Sequence, residues 1–186
     1  MDIRFISSNN FKVEEAAAIL TDLGVQMRPT IYKIAELQTI DSVELLRDKA
    51  LRAFRVFGRP LVVEHTGLYL ESMNGFPGGL TEVFWRTIGP EQFCQLFGGR
   101  PDSAIKAKTY IGYIDGFRIH IFEGEIDGRI PPEPRGDSDF AWNQVFIPDG
   151  YDETFAEMGQ QKKNEISMRR TALVKLVEHL RRVNSF

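Results

Sequence analysis

The stretch that most constrains this chain is Pro60 to Thr81, PLVVEHTGLYLESMNGFPGGLT. Leu61, Val62 and Val63 form a short apolar run bounded by Pro60, which reads as a buried strand. The run leads straight into two titratable residues, Glu64 and His65. Thr66-Gly67 is expected to break the pattern and turn the backbone, with Leu68, Tyr69 and Leu70 resuming as a second strand. Asn74 to Gly79 reads as a glycine-rich loop. Polar groups at the end of a buried strand, beside a flexible loop, are a usual setting for chemistry in α/β proteins. The same residues also describe a β-hairpin with a polar turn, and this stretch alone does not choose between the two.

Composition narrows the classes. A length of 186 residues gives room for one substantial domain or two lobes sharing a sheet. Net charge is −3 and the pI about 5.7, which argues against a general nucleic-acid binder. The single cysteine, Cys94, excludes an internal disulfide and fits a reducing cytoplasm. Met1 to Arg4 leads into a strand and not an apolar signal segment, and no long apolar run predicts a membrane span.

Taken in order, Ile3 to Ile6 reads as a strand, and Ser7 to Asn10 supplies helix-capping residues for a helix over Phe11 to Leu23, closed by Gly24. A strand, polar turn and helix N-terminus can bind an anion, with Lys12 adding charge. Taken alone, a capped helix with a solvated lysine is the plainer reading. Val25 to Lys33 is expected to be a strand, with Glu36 in the loop after it. Asp41-Ser-Val-Glu44 resembles a capping box opening a helix to Phe57. Lys49 falls off that helix's apolar stripe, so it either faces solvent or reaches a site. Two short helices are expected near Glu82–Thr87 and Glu91–Leu96. Strands over Ile105–Ile114 and Phe117–Ile126 are joined through Asp115-Gly116, a hairpin signal. A proline-rich loop precedes Phe140-Ala-Trp-Asn143, a short strand is expected at Val145–Ile147, and one helix at Ile166–Arg182. The pattern predicts an α/β fold: a mixed central sheet with helices on both faces, in a single domain over residues 1–186.

The same residues carry a resemblance. Ser7-Ser8-Asn9-Asn10-Phe11-Lys12-Val13-Glu14-Glu15 is similar to the T-G-N-x-x-K-x-x-E element of the inosine/xanthosine triphosphate pyrophosphatase family. Glu64-His65-Thr66-Gly67 and Asn74-Gly75-Phe76-Pro77-Gly78 resemble its E-D-[ST]-G and N-G-x-P-G elements. Phe140 to Asn143 resembles F-G-[YW]-D, Thr154 to Met158 matches T-F-A-E-M, and Lys162 to Arg169 looks like E-K-N-x-x-S-H-R. The resemblance covers nearly the whole chain, and the elements occur in the family's order. It implies two lobes flanking an active-site cleft. It also implies metal-dependent hydrolysis of noncanonical purine nucleoside triphosphates to a monophosphate and pyrophosphate, by water attack on the α-phosphorus. The implied metal is Mg²⁺, with Mn²⁺ as an alternative, and the implied assembly is a cytoplasmic homodimer.

By the same resemblance, His65, Lys12 and Lys49 would be catalytic. Ser7, Asn9, Lys12, Thr66, Gly67, Phe140, Trp142, Asn143, Lys163, Met168 and Arg169 would bind substrate, the aromatics by stacking on the purine. Glu36 and Glu64 would hold the metal. Charge stabilisation dominates phosphoryl chemistry, so cations and N–H donors suit a triphosphate. The chain departs from the family where the chemistry is most demanding. His65 stands in place of an aspartate. Imidazole can act as a base near neutral pH, but it is a poor magnesium ligand. Asn143 replaces an aspartate and Met168 a histidine. Two readings follow: an active pyrophosphatase with altered base preference or metal demand, and a catalytically weak nucleotide-binding relative acting as a sensor or subunit.

Overall fold

Strand and helix alternate through the first half of the chain. The computed structural model describes residues 2–137 and 142–183. Strand β1 (Asp2–Ile6) turns Ile3 and Phe5 to one face and Ile6 to the other. Helix α1 (Asn10–Asp22) starts at an extended Asn9 whose side chain accepts from the Lys12 N–H at 3.1 Å. Strand β2 (Gln26–Thr30) is shorter than expected and runs parallel to β1. It lies at the sheet edge, the position that tolerates its Pro29.

Helix α2 (Ser42–Phe57) is capped by Asp41, whose Oδ1 accepts from Val43 and Glu44 N–H. The expected capping box is only half formed. Thr39 Oγ1 accepts from the Asp41 N–H and donates to Glu44, so a threonine stands between the two ends of the box. Gly58 closes the helix in the left-handed region, φ 60°.

Strand β3 (Leu61–Leu70) corrects the expectation of two strands. Thr66-Gly67 does not turn. The strand pairs antiparallel with β4 (Ala104–Ile114) without interruption from Leu61↔Ile114 to Leu70↔Ile105. Ladder hydrogen bonds on both sides of Gly67 outweigh the local breaker signal. Helix α3 (Thr81–Phe97) is the expected pair of short helices, merged across a kink at Gly89, φ 75°, before Pro90. The β4–β5 hairpin (β5, Ile119–Arg129) forms with a four-residue turn, Asp115–Arg118, in which Asp115 Oδ1 accepts from the N–H groups of Phe117 and Arg118. Phe117 therefore belongs to the turn and not to the strand. The expected strand at Val145–Ile147 is a 3₁₀ turn over Asn143–Val145 followed by β6 (Ile147–Pro148). The expected C-terminal helix is α5 (Met168–Val183), preceded by a helix that was not expected, α4 (Gly159–Ile166), from which it is separated at an extended Ser167 whose Oγ accepts from the Arg170 N–H.

Among the described residues the sheet has the order β2-β1-β3-β4-β5-β6, parallel on both sides of β1 and antiparallel beyond β3. Alternation along β3 sorts the core. Val62 joins the apolar cluster of α1 and α5. Leu68 and Leu70 join Phe93, Phe146, Phe155 and Met168 further along that face. Leu61 and Val63 pack on the opposite face with Leu46, Ala50 and Ala53 of α2. Helices thus cover both faces.

Candidate active site

The strand order dictates where a site can form. The chain leaves β1 for β2 on one side and returns to β3 on the other. In open sheets ligands bind outside the carboxyl ends of strands at such a switch point. β1 pairs with β3 only at Phe5↔Val62, then turns away at Ser7, while β3 continues to Leu70. Beside the resulting gap lie the start of α1 and the three residues Glu64, His65 and Thr66.

On the α1/α5 face the side chains form a closed ionic network. Arg169, fully buried on α5, donates to both Glu64 oxygens, at 2.7 Å from Nε and 2.8 Å from Nη2. Its Nη1 meets the buried Glu15 of α1, and Glu15 also accepts from Lys163 of α4. Thr66 Oγ1 lies 3.0 Å from Glu64 Oε1 and 2.8 Å from Thr109 Oγ1 on β4. Lys12 approaches Glu64 Oε1 at 3.3 Å and keeps 19% of its side-chain surface. Burial lowers the Lys12 ammonium, against the pull of Glu64. Burial also pulls Lys163 down to about 7, against the charge of Glu64.

The α2 face is arranged differently. Lys49 Nζ lies 2.5 Å from Glu36 Oε1 and donates to the Glu64 carbonyl at 2.8 Å. Lys49 is therefore turned inward and not toward solvent. Burial pushes the Glu36 carboxyl up, but the charge and hydrogen bond of Lys49 outweigh it and hold the group below its usual range. His65 shares this face, 5% exposed, with Nε2 buried and lacking a hydrogen-bonding partner. Burial first, then the charge of Lys12, brings His65 down to about 3, against Glu36 and the Gly78 backbone. The ring is neutral near pH 7.

Glycines let the 74–80 loop close over this region. A Cβ on Gly67 would fall 2.6 Å from the Gly78 oxygen, and one on Gly79 would fall 2.3 Å from the Thr39 oxygen. Thr81 Oγ1 locks the loop, donating to the Gly78 carbonyl at 2.7 Å and accepting from the Leu68 N–H at 2.8 Å. The loop is thus a packed wall between β3 and the 38–41 segment.

Around this gap the structure brings together Lys12, Lys49, Glu36, Glu64, His65 and Thr66, with Ser7 and Asn9 at the start of α1, where Ser7 Oγ accepts from the Asn9 N–H at 3.1 Å. The residues expected on a base-binding wall are placed deeper. Trp142 is 4% exposed and packs edge-on against Phe146 at 5.6 Å and against Phe155 at 6.2 Å. Met168 is fully buried in the same cluster. Lys163 lies over the Phe155 ring at 5.6 Å, and Asn143 is buried, its carbonyl accepting from the Ala156 N–H. Phe140, the other expected stacking residue, lies outside the described residues. Sequence reasoning missed the roles of Glu15 and Thr109. Glu15 falls three residues after Lys12, so a signal existed; Thr109 is an ordinary strand residue and carried none.

A divalent metal fits only part of the expected donor set. Magnesium takes oxygen ligands and is usually held by one or two carboxylates together with substrate phosphates. Among the described residues no three His, Cys, Asp or Glu side chains gather into a metal cage. The arrangement suits a metal that arrives with a polyphosphate. Glu36 fits that role: Lys49 holds one oxygen, and the side chain keeps 25% of its surface. Glu64 is otherwise committed, both oxygens accepting from Arg169.

Comparison with known proteins places this geometry. Residues 3–179 match the Ham1 family. A dITP/XTP pyrophosphatase of Thermococcus kodakarensis is 38% identical over 175 residues, 93% of this chain and 94% of the relative. An inosine triphosphate pyrophosphatase of Yarrowia lipolytica is 35% identical over 179 residues, 95% of this chain and 94% of the relative. The structure of a HAM1 protein from Coxiella burnetii superimposes with a TM-score of 0.78 at 25% identity, covering 98% of this chain and 99% of that one. With the match running from β1 through α5, this chain belongs to the Ham1 family.

Proposed function

We propose that the protein hydrolyses noncanonical purine nucleoside triphosphates to the monophosphate and pyrophosphate, as the names of its relatives indicate for them. The observation that carries the reading is the convergence of Lys12 and Lys49, each partly accessible, on the β1/β3 switch point beside the N-terminus of α1. A triphosphate there would meet two ammonium groups and a helix start, an arrangement suited to anions.

In this reading Lys12, Ser7, Asn9 and the first amides of α1 bind and orient the phosphates. Lys49 neutralises charge on the other face, and Glu36 would hold the metal. When bound, the metal would screen the phosphates and polarise the scissile phosphoryl group. Water oxygen attacks the α-phosphorus and gives up a proton to solvent, and the bond to the α–β bridging oxygen breaks, its electron pair leaving with pyrophosphate. Arg169 and Lys163 act beneath the surface: each is at most 1% exposed and held by carboxylates, so each positions other groups. Thr66 and Gly67 shape the strand and loop, and the base lies in a cleft between the lobes of a single domain. The protein acts as a cytoplasmic homodimer, which light scattering after gel filtration tests.

The nucleotide-binding alternative draws on one feature, the neutral His65 at a position where the family has a carboxylate. Pyrophosphate release from inosine, xanthosine, guanosine and adenosine triphosphates, with Mg²⁺ and with Mn²⁺, separates the two. Preferential release from inosine or xanthosine triphosphate is expected. Tight binding without turnover on any of the four would transfer the function to the sensor reading.

A further inference from the structure

We propose that Tyr69 is a positioning residue: its hydroxyl, bonded to Ser42, fixes α2 on β3 so that Lys49 stands where a triphosphate meets it. The inference rests on the nucleotide reading above and deepens it. Tyr69 lies on the face of β3 that carries His65, further along the strand. Its hydroxyl and Ser42 Oγ are 2.6 Å apart, and Ser42, the first residue of α2, is buried. A hydrogen bond between two elements is directional, whereas the apolar packing of Leu46 and Ala50 beside it is not. Ser42 and Lys49 are close to two helical turns apart, so they fall on one face of α2, separated by about 10 Å along its axis. Lys49 makes the second tether, donating to the Glu64 carbonyl of the same strand at 2.8 Å. Hydrogen bonds therefore hold α2 on β3 at two heights, and one of them is made by the ammonium that a triphosphate would engage.

The Tyr69 ring is fixed independently of its hydroxyl. A Cβ on Gly75 would fall 3.8 Å from its Cδ1, and one on Gly78 would fall 3.3 Å from its Cε1, so the ring lies against the 74–80 loop. The backbone of Tyr69 bridges to Pro77, and Lys108 Nζ stands 5.5 Å from the ring centre. The loop in turn donates from the Gly79 N–H to the Ile40 carbonyl at 3.0 Å, one residue before the Asp41 cap of α2. Tyr69 is thus the point where β3, the loop and the start of α2 meet. Phenylalanine at this position would keep the ring contacts and lose the hydroxyl alone. The start of α2 would then be free to shift, and Lys49 would shift with it. What the bond contributes to holding α2 also limits what its loss can cost at Lys49.

The test is a double-mutant cycle on the full chain. Calorimetry reads the affinity for inosine and for the α,β-methylene analogue of inosine triphosphate, which cannot be cleaved at that bond, both with Mg²⁺ present. Tyr69→Phe should weaken the analogue by about 2- to 12-fold, the worth of one neutral hydrogen bond, and leave inosine little changed. Ser42→Ala removes the same bond from the other side. It should reproduce the loss, and the two changes together should cost no more than Tyr69→Phe alone. In a Lys49→Met background Tyr69→Phe should have no further effect on the analogue, an outcome that a purely structural role for Tyr69 does not produce. Where Tyr69→Phe fails to fold, Ser42→Ala carries the same cycle with Lys49→Met. An unchanged affinity in Tyr69→Phe, a loss that persists undiminished without Lys49, or a loss that falls equally on inosine overturns the proposal and leaves the nucleotide reading standing. No binding of the analogue to the wild type at millimolar concentration overturns the nucleotide reading and the proposal with it.

Discussion

The two faces of β3 carry the same kind of residue to different ends. On the α1/α5 face the buried charges are paired: Arg169 lies between Glu64 and Glu15, Lys163 is on Glu15, and Thr66 bridges to Thr109. On the α2 face the matching is incomplete. Lys49 and Glu36 form one pair at the edge of solvent, and His65 has a bare Nε2. Neighbouring residues of one strand, Glu64 and His65, fall on opposite sides of this division. A closed network fixes geometry, and an open one binds. The lesson concerns Arg169 and Lys163, which a motif comparison marks as substrate contacts and which sit in the closed network. Their charges meet the carboxylates of Glu64 and Glu15.

The largest test of the contrast is Arg169→Met. It leaves two buried carboxylates without their common partner, and removing one member of a buried pair costs about 3–5 kcal/mol. Urea denaturation should show a loss of that order. A loss below about 1 kcal/mol would mean the α1/α5 network is not the scaffold described.

The open face should respond to pH in the metal-free protein. His65 has a folded pKa of about 3, below its ordinary 6.5. The unfolded chain therefore binds the proton first as pH falls. The stability contributed by the neutral ring is complete above 6.5 and is lost progressively as pH drops toward 3, with a slope of up to about 1.4 kcal/mol per pH unit. His65→Asn should flatten that part of the stability profile. An unchanged slope in the variant would assign it to other groups.

Lys49→Met separates ligand binding from folding. It should weaken triphosphate binding by about 1.5–3 kcal/mol, roughly 10- to 150-fold, and affect the nucleoside much less. Calorimetry with both ligands checks this, and equal losses would return Lys49 to a structural role. Gly67→Ala forces the Gly78 carbonyl back and should cost about 1–3 kcal/mol by overpacking. Its effect should appear in both stability and turnover, because the loop walls the open face. The smallest effect is expected from Thr109→Val on the closed face, about 1 kcal/mol of stability with an unchanged KM. A large change in KM there would dissolve the distinction between the faces.

Much of this was readable before any coordinates. The cap at Asn9, the helix end at Gly58, the α3 break at Gly89-Pro90 and the β4–β5 hairpin all follow from local chemistry. The local rules failed where tertiary pairing overrode them. Gly67 signals a turn, yet it lies within a continuous strand because β4 supplies ladder partners on both sides and Gly78 needs the space a Cβ would fill. Gly159 to Ile166 has little apolar periodicity, yet it forms α4, with Lys163 and Asn164 buried and Ser167 between it and α5. Trp142 illustrates the same limit for function: a motif can name an aromatic, but only packing against Phe146 and Phe155 shows that it supports the core.

The sequence by itself determined the residue types, most of the helices and strands and the mixed sheet, because these depend on periodicity, caps and turns that act within a few residues. It also determined the family, because several short elements recur in one order along nearly the whole chain. Which charges are spent and which are free was decided only by the tertiary structure. Glu15, Glu64, Lys163 and Arg169 are distant in the chain, and their mutual neutralisation exists only once α1, β3, α4 and α5 meet in a poorly solvated interior. Neutralisation is a property of distance and burial, and no spacing along the sequence encodes it. The bare nitrogen of His65 is decided the same way, by which face of β3 the fold leaves unfinished.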